Sequence, residues 1–232
     1  MKWLESNLDL VWELMVDHVA LCVPPILLGF VISIPIGWLA NRYRPSRGVI
    51  LVVLGLLYTI PSIPLFVFMP IVLGTPLLSP VNVVVALTIY AVALMVRTAA
   101  DGLASVDRDV LQAASAMGYS SWQRFWRVEL PLSGPVLLSG LRVVSASTVS
   151  LATLGVIIGV QSLGYLFTNG FQRNIPIEVV TGIVATLLIA VVFDLLLVLL
   201  GRVLLPWSRG DGRQDARRAR RRTATLVAEG IS

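Results

Sequence analysis

Charged residues are all but excluded from five long stretches of this sequence and crowd into the segments between them. A charge at the centre of a bilayer costs at least a few kcal/mol, whereas the same charge on a soluble surface costs nothing, so this partition is what a membrane imposes. The stretches run from about Val19 to Ala40, Val49 to Leu73, Val81 to Val96, Pro135 to Val160 and Val179 to Leu205. A hydrocarbon core of roughly 30 Å takes ~20 helical residues to cross, and all five are near or above that, the third being short and the fifth long. The expected fold is all-α and integral to the membrane, with five transmembrane helices. Only 13% of the 232 residues are charged and the mean hydropathy is +0.86, against about 25% charged for a soluble domain.

Arginine and lysine counts beside the spans set the orientation. Lys2 alone precedes the first span, and Arg42, Arg44 and Arg47 follow it. No base lies between spans two and three. Arg97, Arg108, Arg124 and Arg127 lie between three and four, Arg173 alone between four and five, and an arginine-rich tail follows the fifth. The alternation puts the N-terminus outside and the C-terminus in the cytoplasm, which requires an odd number of spans. The net charge of +5 then belongs to topology and anionic lipid, not to nucleic acid. Cys22 is the sole cysteine, so no intrachain disulfide can form. No secretory leader is expected, because the first apolar run is too long for one and acid precedes it.

Three regions do not span. In residues 1–18, Glu5, Asp9, Glu13 and Asp17 recur every four residues, with Leu4, Leu8, Val11, Trp12 and Met15 on another face. This predicts an amphipathic helix on the outer surface, either a plain anchor for span one or an acidic docking face. His18 at its end reads as an interfacial residue rather than a metal ligand. The basic tail, 207–232, is expected to be disordered and to touch anionic lipid.

The third region, 98–132, is too polar to span. Asp107 or Asp109 can cap a helix carrying Val110, Leu111, Ala114 and Met117 at helical spacing. Gly118 stands where a helix ends in left-handed geometry. Ser120-x-x-Gln123 has the form of a capping box for a second short helix, with Trp122, Phe125, Trp126 and Val128, ending at Leu130-Pro131.

The run Gln112-Ala113-Ala114, then Gly118, then Leu130-Pro131, resembles the EAA loop of binding-protein-dependent ABC-importer permeases. The spacing is kept throughout, with Gln112 in place of the usual Glu and Val128 in place of the usual Ile. The resemblance implies that these six residues couple the chain to cytoplasmic ATPase subunits, and that Gln112 contributes an amide where the family has a charge. A narrower likeness, over most of 18–205, is to the osmoprotectant permeases for glycine betaine, choline and carnitine. It rests on Thr59-Ile60-Pro61-Ser62, Ile89-Tyr90-Ala91, Arg97-Thr98, Gly102-Leu103, Gly140-Leu141-Arg142 and Ser162-Leu163-Gly164. Val160-Gln161-Ser162 replaces residues that tend to be glycine in that family, implying a stiffer loop. The resemblance further implies two permease chains, identical or related, lining one path; two ATPase subunits that hold ATP and Mg; and an external solute-binding protein. No cofactor is expected on this chain. A permease for another solute, methionine first, and a stand-alone channel or scaffold are the alternatives.

A path through the membrane needs irregular backbone or polar groups at depth. Tyr58, Thr59, Pro61 and Ser62 supply these in span two, and Ser147 and Thr148, with Ser145, Ser150 and Thr153, in span four. The same hydroxyls could instead be helix-packing contacts. Arg142 and Asp194 lie at comparable depths in spans four and five and are expected to pair; a proton relay is the rival reading, but it needs more titratable groups than two. There is no phosphate-cradling glycine-lysine loop and no nucleophile–base set, so ATP chemistry is assigned to a partner and no catalytic or metal residue is expected here.

Overall fold

The computed structural model describes residues 2–209, which are helical nearly throughout. The elements are α1 (Lys2–Glu5), α2 (Leu8–Arg42), α3 (Arg44–Thr59), α4 (Ser62–Leu73), α5 (Pro80–Ala104), α6 (Arg108–Ala116), α7 (Ser121–Arg124), α8 (Leu130–Ala152), α9 (Gly164–Gln172) and α10 (Pro176–Leu204). A π-helical segment, Phe125–Glu129, joins α7 to α8, and a 3₁₀ segment, Thr153–Ile158, follows α8. From residue 210 onward, the expected arginine tail lies outside the described residues.

Among the described residues four helices are long and apolar enough to cross a membrane: Leu8–Arg42, Pro80–Ala104, Ser121–Ile158 and Pro176–Leu204. The expected second span, Val49 to Leu73, falls on a bent pair, Arg47–Thr59 and Ser62–Leu73, turned by 101° at the break. Pro61 has no N–H for Leu57 and Pro64 none for Ile60, so the ladder breaks here and the Ile60 carbonyl needs another donor. Tyr90 on α5 provides one: its hydroxyl donates to the Ile60 carbonyl at 2.5 Å, and its ring meets Tyr58 edge-on at 5.8 Å. An unmade hydrogen bond to a buried carbonyl costs about 1–3 kcal/mol. Tyr90→Phe is therefore expected to lower the thermal unfolding midpoint in detergent by several degrees. An unchanged midpoint would remove this hydroxyl from the elbow's support.

Two sequence boundaries move. Residues 8–18 do not form a separate surface helix, because α2 continues through them without a break for 35 residues, roughly 52 Å at 1.5 Å each. Their acids occupy the outward face, while Val11, Leu14 and His18 are buried. His18 is no interfacial residue: it is fully buried, with Nε2 3.1 Å from the Val149 carbonyl of α8. Span three also runs on beyond Val96 to Ala104. Arg97 ends the apolar count, yet Ala99, Ala100 and Leu103 carry the buried face onward.

The core centres on α5, whose Val83, Leu87, Met95 and Val96 are fully buried. Its principal neighbour is α2, which approaches through a stripe of small residues, Gly29, Ser33 and Gly37, four apart. A Cβ on Gly29 would stand 2.5 Å from the Ala91 Cβ, and one on Gly37 2.8 Å from the Ala99 Cβ. Close backbones in a membrane let short polar side chains bridge helices. The Ser33 hydroxyl accordingly donates to the Val92 carbonyl at 3.4 Å, and Asn41 Nδ2 to the Ala100 carbonyl at 2.7 Å. Helix α8 packs against both α5 and α2, its Gly140 directly against Thr98. Helix α10 lies outermost and is mostly exposed.

Candidate functional site: the polar loop between α5 and α8

The loop is built by local chemistry. Asp107 caps α6, its Oδ1 accepting from the Asp109 N–H at 2.9 Å; Asp109 falls inside the first turn. The helix closes with the Met117 N–H on the Ala113 carbonyl and the Tyr119 N–H on the Ala114 carbonyl. Between them Gly118 has φ +85°, a left-handed value that favours glycine. Ser120 and Gln123 then make a reciprocal capping box, with the Gln123 N–H donating to Ser120 Oγ at 3.3 Å and the Ser120 N–H to Gln123 Oε1 at 3.0 Å.

The second short helix does not end at Leu130-Pro131 as expected. Its four α-helical residues pass into the π segment, and this runs straight into α8. The wide turn, closed by the Leu130 N–H on the Phe125 carbonyl, leads into Pro131 in the first turn of α8. From Ser121 onward the loop is thus one piece with α8, joined to it through continuous helix. At its other end Gly102 and Leu103 of α5 sit near the loop, and a Cβ on Gly102 would meet Val136 of α8 at 3.2 Å.

An additional brace involves residues the sequence reading did not single out. Arg124 Nε donates to Glu129 Oε1 at 2.8 Å, and its NH1 donates to Ser115 Oγ at 3.0 Å. One guanidinium therefore fastens α6 to the π segment. The five-residue separation of Arg124 and Glu129 matches a π turn and gives no signal to a search at α-helical spacing. Phe125 is buried and touches Trp38 of α2, with ring centroids 5.6 Å apart.

The six residues of the loop motif fall into two groups. Gln112, Ala113 and Gly118 are exposed on the free surface, whereas Ala114 is buried against the rest of the loop; Leu130 and Pro131 are half-buried where α8 begins. Around the exposed group stand Val110, Met117, Trp122 and Trp126, also exposed, Met117 at 71%. Apolar side chains clustered on a polar loop mark a surface that another protein covers.

The residues considered for a path separate likewise. Tyr58, Thr59 and Pro61 are exposed at the elbow of the bent pair, and Ser62 is half-buried beside them. Thr59 returns its hydroxyl to the Leu56 carbonyl at 2.7 Å. On α8, Ser147 is half-buried, but Thr148 and Ser145 are each 2% exposed inside the chain's own packing; for these two the helix-packing reading fits. Arg142 of α8 and Asp194 of α10 lie together in a two-pronged pair, Nε to Oδ1 at 2.5 Å and NH2 to Oδ2 at 2.8 Å. Both keep over 40% side-chain exposure, so one edge of the pair is open. A charge left without its partner in a membrane is worse than no charge. Asp194→Asn alone is therefore expected to lower the yield of folded chain more than Arg142→Leu with Asp194→Leu together, measured by size-exclusion chromatography in detergent. The reverse order would exclude a structural role for the pair.

The model of the family described as "Binding-protein-dependent transport system inner membrane component" matches residues 33–209. The choline transport system permease protein OpuBB of Bacillus subtilis is 27% identical over 190 residues, 82% of this chain and 86% of the relative. The osmoprotectant import permease protein OsmY of Salmonella typhimurium is 31% identical over 192 residues, 82% of this chain and 80% of the relative. Among solved structures, a chain of the inward-facing methionine ABC transporter MetNI superposes with a TM-score of 0.75 at 22% identity, covering 86% of this chain and 98% of that one. That likeness speaks for the fold alone.

Proposed function

Because this chain belongs to the family of binding-protein-dependent transport system inner membrane components, we propose that it is the permease subunit of an ATP-driven importer for compatible solutes, namely glycine betaine, choline, carnitine or similar quaternary amines. It is a multi-pass inner-membrane protein whose family works with an ATPase and a solute-binding protein. The observation that carries the coupling role is the loop: two capped helices about Gly118, continuous with α8, presenting Gln112, Ala113 and an apolar rim to a partner. Nucleotide-driven closure of two ATPase subunits, which hold ATP and Mg, displaces residues 107–131. Helices α5 and α8 carry the motion to a path shared with a second permease copy or a related chain. The elbow at Tyr58, Thr59, Pro61 and Ser62, with Ser147, supplies irregular backbone and hydroxyls for that path. With five spans, counting the bent pair as one, the N-terminus faces outward and the loop faces the cytoplasm.

The choice of solute follows the relatives' transport of choline and osmoprotectants. Quaternary amines are held by aromatic cages through cation–π attraction, and that affinity belongs on the external binding protein, so the path itself needs little. Cells lacking this chain and cells restored with it are compared for uptake of labelled glycine betaine, choline, carnitine and methionine. ATP-dependent uptake of at least one quaternary amine, restored only with the chain, is the expected result. Restored uptake of methionine alone would overturn the solute and keep the machine.

A further inference from the structure

Two apolar cavities of about 260 and 290 Å³ lie end to end between α2 and α10 over a floor of α8, and they share Leu197 and Leu200. Along α2 their wall includes Leu27, Phe30 and Ile34. One turn further, the same face presents Trp38, and there a third cavity of about 320 Å³ begins, with Asn41, Arg42, Arg47, Arg108 and Arg124 around it. The apolar and polar compartments are also neighbours where the π segment meets α8, since Leu130 lines one and Glu129 the other. From Leu130 to Ser145 the floor spans roughly 22 Å at 1.5 Å per residue, more than the ~15 Å of hydrocarbon in one leaflet.

The charge at the wide end is not internally balanced. Arg47 is held by Asp101 at 2.7 Å and Arg124 by Glu129 at 2.8 Å. Among the described residues Arg42 and Arg108 have no carboxylate partner; Arg42 lies over the Trp38 ring at 5.4 Å. Beside them the buried Asn41 Oδ1 has no hydrogen-bond donor, although its Nδ2 is engaged. The chamber therefore offers two cations to an anion and one acceptor to a hydroxyl, one helical turn along α2 from the apolar cavities.

We propose that this groove binds one anionic glycerophospholipid: phosphate on Arg42 and Arg108, a headgroup hydroxyl donating to Asn41 Oδ1, and an acyl chain along α2 and α10. Charge complementarity at one end and leaflet-length apolar walls at the other select this occupant. A protein helix would leave the arginines unmatched, and a zwitterionic lipid would bring a second cation to them. Arg108 and Leu111 of α6 share the chamber, so the lipid sits beneath the polar loop. The proposal requires only that the arginine-rich end lie at a membrane surface, and it stands apart from the solute reading.

Native mass spectrometry of the purified full chain, titrated with phosphatidylglycerol, with phosphatidylcholine of the same acyl chains, and with inorganic phosphate, tests it. Phosphatidylglycerol alone is expected to stay bound. Arg42→Ala with Arg108→Ala should weaken it roughly twenty-fivefold, about fivefold per arginine near a membrane surface. Ile34→Trp, which narrows the channel and leaves the arginines intact, should weaken it too; both variants are checked for wild-type thermal unfolding. On the unaltered chain, phosphatidylglycerol with a photoreactive acyl chain should label residues 23–34 and 193–204. Equal retention of the two lipids, displacement by inorganic phosphate alone, labelling confined elsewhere, or a second copy of the chain occupying the groove would each overturn the proposal. No arm uses transport, so failure here is distinct from failure of the importer reading.

Discussion

Gly37→Leu is expected to abolish accumulation of folded chain. At this position α2 crosses α5 so closely that even a Cβ would stand 2.8 Å from the Ala99 Cβ and 2.9 Å from the backbone N of Ala100. Backbone cannot rotate aside as a side chain can. Overpacking a dense interior costs about 1–3 kcal/mol where neighbours can shift, and more where they cannot, while a domain's whole stability is about 5–15 kcal/mol. The same crossing carries the hydrogen bonds from Ser33 and Asn41 to α5, which separation of the helices breaks. Gly55, on the exposed side of α3 with nothing within 4 Å of its Cβ position, is the matched control: Gly55→Leu should leave the monodisperse yield near wild type. Equal yields for the two variants would show that α2 and α5 do not meet as described.

Gly118→Val is expected to leave the chain folded and to lower ATP-dependent uptake by roughly tenfold or more. A Cβ here meets nothing within 4 Å, so the variant acts through backbone alone. With φ at +85°, a β-branched residue is strained by about 1–3 kcal/mol and moves toward negative φ, which re-aims α6 relative to α7. Gln112, Ala113, Met117 and Trp122 then no longer form one surface. Gly118→Asn, whose side chain tolerates left-handed geometry, should recover most of the uptake. Full uptake by the Val variant would show that the elbow does not set the docking surface.

What the sequence could reveal was set by the range of the interactions involved. The Asp107 cap and the Ser120–Gln123 box need only three or four consecutive residues, and both are legible. Prolines are different. Pro24, Pro25 and Pro35 stay inside one continuous helix, whereas Pro61 turns the chain by 101°. Nothing local separates these cases; the elbow depends on a hydroxyl thirty residues away, at Tyr90. The acidic row at Glu5 to Asp17 suggested a separate surface helix, yet Asp9, Glu13 and Asp17 belong to the long α2, whose inward face reaches Val149 through His18. The Gly29, Ser33 and Gly37 stripe gains its meaning only from its partner α5, which no local pattern identifies. The brace from Arg124 to Ser115 and Glu129 was out of reach, because it requires a π turn that α-helical spacing does not suggest. Thr148 faced inward for a similar reason: hydroxyl content names a helix, and only packing tells which hydroxyls face another helix.

Site-specific photo-cross-linking in the assembled transporter tests the coupling role most directly. A photoreactive residue is placed singly at Gln112, at Met117 and, as a reference beyond the far end of α8, at Gln161. The expected result is an adduct with the ATPase subunit from positions 112 and 117 and none from 161. Adducts from 161 but not from 112 or 117, or none from any position in a complex that transports, would contradict the assignment of the polar loop as the grip on the ATPase.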